Sequence, residues 1–240
     1  MVVTGAVVAL AVIAGGAYVA LGGDHDGDGS STDNSAVSAG TRGYVLVAPD
    51  AVDAYTKSRS GPAPGEPNAQ QKKEADALGV KNARAVSAVY NAPGTDPADP
   101  SKTGGRRLVF DGLYGEITDP AAAVDRYLAG VGDKGPKGDG KRPGIEMRRV
   151  GQARVVKPVG FEGALMKCQD VQVVHAKDAA ASKSADADYR IPVCAWSDYS
   201  TVGGANVLQL AQVKTGGPGA TQDEAAALTA TLYLAARRKA

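Results

Sequence analysis

Cys168-Gln-Asp-Val-Gln-Val-Val-His175 and Arg190-Ile-Pro-Val-Cys-Ala-Trp-Ser-Asp-Tyr-Ser-Thr-Val-Gly203 hold both cysteines of the chain, its only tryptophan and one of its two histidines. Each cysteine lies in an alternating apolar run, which predicts a β-strand. The stretch between them, residues 176–188, is small and polar and reads as a loop. Two adjacent antiparallel strands with one cysteine each predict a disulfide, Cys168–Cys194, contributing about 3–3.5 kcal/mol by loop closure. Reduced buried thiols or a metal site are the alternatives. A pair 26 apart with no C-x-x-C is a poor ligand set for a metal. Trp196 follows Cys194 by two and faces the same side of its strand. Its ring is expected to pack as core over the bridge rather than to stack on a ligand.

The N-terminal run Val2 to Leu21 is uncharged. As a helix it is long enough to cross a bilayer core. Residues 1–22 read as an uncleaved anchor; a cleaved signal peptide, with Ala20-Leu21-Gly22 as a weak cleavage site, is the alternative. Asp24, Asp26, Asp28 and Asp33 follow, with no Lys or Arg before Arg42. The flanking charge therefore does not place this side in the cytoplasm, and a disulfide agrees with an extracytoplasmic location.

Residues 23–42 are Gly, Asp, Ser and Ala in the main and read as a flexible acidic tether. Asp24-His25-Asp26-Gly27-Asp28-Gly29 opens like a calcium loop, but its twelfth position is Ser35 rather than Glu, so a solvated spacer is expected. Residues 43–240 are long enough for one domain. The net charge of +1 argues against nucleic acid as a partner.

Along that domain, Tyr44–Pro49 reads as a strand, followed by a polar loop to Pro67. Asn68 with Gln71 forms a capping box for a helix to Leu78, stopped by Gly79. Arg84–Tyr90 and Arg107–Tyr114 alternate as strands. Asp119-Pro120 starts a helix with Val124, Tyr127, Leu128 and Val131 as its buried stripe. Two short strands are expected near Ile145–Val150 and Ala153–Val156, then Cys168–His175, Ile191–Trp196 and Thr201–Ala211. Thr221 and Glu224 form a capping box for a last helix, with Leu228 and Leu232 buried. Arg237, Arg238 and Lys239 suit its negative end. The pattern predicts an α+β fold, a mainly antiparallel sheet with helices on one face.

Motifs for chemistry are sparse. Gly135 to Lys141 fits G-x-x-x-x-G-K, but Arg142 and Pro143 follow where a P-loop needs Ser or Thr and a helix. Between Asp133 and Lys157 eight Lys/Arg meet three acids. Lys134, Lys137, Lys141, Arg142, Arg148 and Arg149 are the candidate contacts for an anionic surface, lipid headgroups or a phosphate-bearing wall polymer. The bland reading is a solvated loop and a charged edge strand. His175 with Asp178 and Ser197, Ser200 or Thr201 could be imagined as a nucleophilic site, but no G-x-S-x-G elbow supports it. Asp111 and Glu116 are acids with nothing to mark them. No catalytic, metal or cofactor residue is assigned.

At Val193-Cys194-Ala195-Trp196-Ser197-Asp198, Ser200-Thr201-Val202-Gly203 and Gly112-Leu113-Tyr114-Gly115, the chain resembles uncharacterised membrane-anchored proteins of high-GC actinobacteria, the streptomycete type. The resemblance implies extracytoplasmic placement and no particular activity. The function expected is a membrane-tethered, non-enzymatic domain that binds a protein or envelope component. A hydrolase with an unmarked site, or a sensory ectodomain acting through a membrane partner, is the alternative.

Overall fold

The computed structural model describes residues 33–63, 67–96, 105–132, 145–175, 187–217 and 219–240. Its strands are β1 (Tyr44–Leu46), β2 (Ala51–Val52), β3 (Tyr55–Ser60), β4 (Val80–Asn91), β5 (Arg106–Ile117), β6 (Ile145–Val156), β7 (Leu165–His175), β8 (Tyr189–Ser197), β9 (Thr201–Gln209) and β10 (Arg237–Lys239). The helices are α1 (Ala69–Leu78), α2 (Pro120–Gly132), α3 (Gln212–Thr215) and α4 (Gln222–Ala236). Eight strands form one antiparallel sheet in the order β2-β3-β4-β5-β9-β8-β7-β6, and β1 pairs with β10 as a separate ribbon. The fold is α+β with a mainly antiparallel sheet, as expected.

The helices cover both faces of that sheet, not one. Apolar side chains occur at both parities of the central strands: Val193 and Ala195 point to one core, Cys194 and Trp196 to the other. A strand buried on both sides needs a layer on each. On one face α2 supplies Val124, Tyr127, Leu128 and Val131, and α1 supplies Ala75. On the other, α4 supplies Leu228, Leu232 and Tyr233, and the β1–β10 ribbon adds Leu46. Adjacent glycines allow both layers to approach. A Cβ at Gly203 would lie 2.8 Å from Trp196 Cζ2 on one face; at Gly204 it would lie 2.6 Å from Tyr127 Cε1 on the other.

Three further elements differ from the sequence reading. The polar stretch after Pro49 contains the β2–β3 hairpin, whose turn places Asp53 at φ 50°. β3 is mostly exposed, so its residues Lys57 to Ser60 carry no hydrophobic alternation. The two short strands before Pro158 are one strand, β6, whose register shifts between Val150 and Arg154 around Gly151 at φ 68°. The basic triplet after α4 forms β10 instead of serving its helix end.

The domain also begins earlier than residue 43. Residues 33–42, read as tether, form two 3-10 turns that pack on the sheet as a strap. Val37 and Thr41 are buried. Ser38 N donates to Gly163 O, and Tyr199 N to Thr41 Oγ1. Asn34 accepts from Ala121 N at 2.8 Å and donates to Asp119 Oδ1, which itself accepts from Ala122 N. Thus α2 is capped by Asp119 and by a side chain 85 residues earlier. Asn34→Ala is expected to cost about 1 kcal/mol, the usual value of a helix cap, in urea denaturation.

The strap meets one end of the sheet, where β5 ends, β7 and β9 begin, and the turns 157–164 and 198–200 lie. This is the strap end. The opposite end holds the start of β6 and β8, the end of β9 and the start of α4. No helix among the described residues is long and apolar enough to cross a membrane. The expected anchor, residues 1–22, and the calcium-like stretch lie outside the described residues.

Candidate functional site

Cys168 and Cys194 face each other in register on β7 and β8 and are disulfide-bonded, with Cα atoms 4.1 Å apart. Both are fully buried, as is Trp196 in the same core. The tryptophan stacks on Phe110 at 5.9 Å and meets Tyr233 edge-on at 5.8 Å. It is a core residue.

Next to the bridge, the sheet opens. Pro192 sits in β8, and a proline cannot donate to a ladder. Pairing of β8 with β9 starts only at Val193, while β7 pairs along the whole of β8. Residues 189–192 therefore diverge from β9, and the segment with α3 fills the gap. Gln212 Nε2 donates to Arg190 O at 3.2 Å and to Gly217 O at 3.1 Å, replacing the missing strand. Gly219 lies so close to this amide that a Cβ would be 2.4 Å from Nε2.

The divergence leaves an open cleft of about 460 Å³. Asp170, Arg190 and Pro192 form its floor, and Gly217 with residues 219–222, leading into α4, its wall. Arg190 Nη1 is 3.9 Å from Asp170 Oδ2, and its side chain is 54 % exposed. Arg154 holds the wall by donating to Gln222 Oε1 at 3.1 and 2.9 Å. Gln222 O rests 3.7 Å from Cys194 Sγ, so the disulfide underlies the cleft. The cleft thus offers a guanidinium, a carboxylate and a glycine-rich backbone. Its volume suits a small polar ligand or one side chain group of a larger one.

A second polar cluster is closed to solvent. Asp198, in the turn between β8 and β9, is fully buried. It accepts from Ser200 N and Thr201 N at 2.7 Å and from Thr201 Oγ1 at 2.8 Å. Trp196 Nε1 donates to the same Thr201 hydroxyl. Arg237 Nε lies 3.1 Å from Asp198 Oδ2. The Arg237 guanidinium is held between the rings of Tyr44 and Tyr233, at 4.0 and 4.3 Å. Burial pushes the Asp198 carboxyl above its ordinary range, against the pull of Arg237 and of its hydrogen bonds. This cluster latches the C-terminal strand to the domain.

The other sequence candidates separate in space. Ser197 is in register with Leu165, ten residues before His175 on β7. At roughly 3.3 Å per residue, His175 is about 33 Å from the Ser197–Thr201 turn. The imagined nucleophilic site therefore does not form; His175 N instead donates to Asp188, and Asp178 lies outside the described residues. Asp111 and Glu116 are five apart on one strand and face opposite sides: Asp111 is buried, Glu116 accepts from Asn82. The Thr221 hydroxyl caps α4, but Glu224 does not close the box. Its carboxylate turns to Arg106, whose hydrogen bond holds it below the ordinary range.

Lys134, Lys137, Lys141 and Arg142, with the P-loop-like stretch, lie outside the described residues, between Gly132 and Ile145 in the sequence. Arg148 and Arg149 are neighbours on the edge strand β6 and point to opposite faces. Arg148 is paired with Glu146 at 2.7 Å. It lies in one cross-strand row with Gln172 and Arg190, beside the cleft. Only Arg148 of the described pair thus borders the cleft floor. The cleft itself was not legible in the sequence beyond Pro192 inside an apolar run. Comparison with family models, curated proteins and solved structures finds no match to this chain.

Proposed function

We propose that this chain is a membrane-tethered, extracytoplasmic binding domain, and that its ligand docks in the cleft between β7–β8 and the start of α4. The observation that carries this reading is the cleft itself: a recess of mixed polarity opened by Pro192, holding Asp170 and Arg190, and stapled underneath by Cys168–Cys194. The uncharged run 2–21 and the disulfide support the compartment. The ligand is a protein segment or envelope component that presents both a group for Arg190 and a donor for Asp170. The basic stretch Lys134–Arg142 precedes β6 in the chain, and its charge favours an anionic polymer as the envelope component.

A photo-crosslinking residue at Gln172, in the full-length chain in cells, is expected to capture an envelope species. The same residue at Lys72, on exposed α1, is expected not to. Arg190→Ala should reduce capture at Gln172 roughly tenfold, the equivalent of one charged contact. Equal capture at both positions, or none at Gln172, rejects the cleft as the site. Free thiols at Cys168 and Cys194 in the isolated chain reject the compartment.

A further inference from the structure

We propose that the strap end of the domain faces the membrane and touches it through the Lys157–Gly160 turn. This rests on the reading that residues 1–22 anchor the chain.

Val159 is fully exposed at 103 %, and Val155, four residues earlier, is 46 % exposed. Isolated exposed apolar residues are ordinary, but this one is presented on a rigid support. Phe161 N donates to Pro158 O and Gly160 takes φ 77°, closing a tight turn. Phe161 is buried against Tyr233, with ring centroids 4.9 Å apart, and Tyr233 OH donates to Glu162 O. The core therefore pushes Val159 outward.

The same end carries groups suited to a headgroup layer. Lys157 is exposed beside Val159. Arg42 is exposed and stacks on the half-buried Tyr199 at 4.2 Å. Tyrosine, lysine and arginine around an apolar tip are the usual interfacial anchors. Glu162, Asp33, Asp119 and Glu116 are exposed acids of this end, and Asp198 is buried there against Arg237. Turn and strap are bonded directly, since Ser38 N donates to Gly163 O.

The path of the chain brings this end within reach of the bilayer. The described chain starts at Asp33, against Asp119 and the start of α2, at the strap end. Eleven residues, 22–32, separate Leu21 from Asp33, a reach of at most about 40 Å. That reach is about the length of the sheet, so the connection lets this end meet the bilayer and the contacts of the turn favour it there. Burying one valine then biases the tethered domain about tenfold toward the docked orientation. The cleft, at the other end, faces away from the membrane.

The test uses the full-length chain in vesicles of phosphatidylglycerol and phosphatidylethanolamine, with and without brominated acyl chains. Val159→Trp adds a reporter at the turn, and Pro93→Trp one on the exposed turn after β4, at the opposite end. The signal of buried Trp196 is subtracted with the parent protein. Bromolipid is expected to lower the Val159→Trp emission roughly twofold and to leave Pro93→Trp unchanged. In the unsubstituted chain, amide exchange at Val159–Phe161 should slow on incorporation, and Val159→Asp should abolish that slowing. Equal quenching at both reporters, or none at position 159 in protein that floats with the vesicles, overturns the proposal. Protein that does not float overturns the anchoring reading and this one with it.

Discussion

Arg237→Ala is expected to destabilise the fold by about 3–5 kcal/mol, the cost of leaving one partner of a buried ion pair alone. Asp198 has no exposed surface and the Arg237 side chain is only 11 % exposed, so water cannot replace the lost cation. The substitution also empties the slot between Tyr44 and Tyr233 and frees the β10 strand that holds β1. The three hydrogen bonds from Ser200 and Thr201 remain, which keeps the turn formed but the charge uncompensated.

The deficit should depend on pH in a definite sense. Burial already raises the Asp198 carboxyl, and Arg237 opposes that shift. Without Arg237 it rises further, so the folded state holds a proton that the unfolded chain has lost. A group raised in the folded state costs stability as pH rises from its unfolded value of about 3.9 through its folded value. The difference between variant and parent is therefore larger at pH 7 than at pH 4. Adding Asp198→Asn to Arg237→Ala removes the buried charge and should recover part of the loss. Urea denaturation of the three proteins at both pH values decides it: a deficit independent of pH, with no recovery, would show that stacking rather than charge pairing holds the latch.

Replacing both cysteines, Cys168→Ala with Cys194→Ala, should cost about 3.5 kcal/mol, from closure of a 26-residue separation in the unfolded chain. Both side chains are fully buried, so small apolar replacements keep the packing of Trp196 and α4 nearly intact. Reduction of the parent should shift its denaturation midpoint by a similar amount. A midpoint unchanged by reductant would mean that the β7–β8 pairing alone sets the stability. Because Gln222 O rests on Cys194, the same variant should also loosen the cleft wall, visible as faster amide exchange at Ala220–Gln222.

Local signals read well where the physics is local. The Asn68–Gln71 capping box, the Gly79 stop at φ 77° and the Asp119-Pro120 start all form as expected, because each is completed within a few residues. The buried stripe of α2 is equally legible, since 3.6-residue spacing dictates one face. The β2–β3 hairpin was missed because an outer strand need not alternate. The strap was missed because Asn34 and Thr41 gain their partners from residues 85 and 158 positions away. The candidate site divides along the same line. The cysteine pair was legible, and the cleft was not, because it depends on where β8 parts from β9.

By itself, the sequence determined the α+β class, most element positions, the disulfide pair and the core role of Trp196. Spacing, turn chemistry and alternation act on neighbours, and neighbours are what a sequence lists. Only the tertiary structure decided that helices cover both faces, that Arg237 leaves its helix end for Asp198, and that His175 and Ser197 lie at opposite ends of the sheet. Those outcomes depend on register and on which strands pair, and both are settled by burying side chains that are distant along the chain.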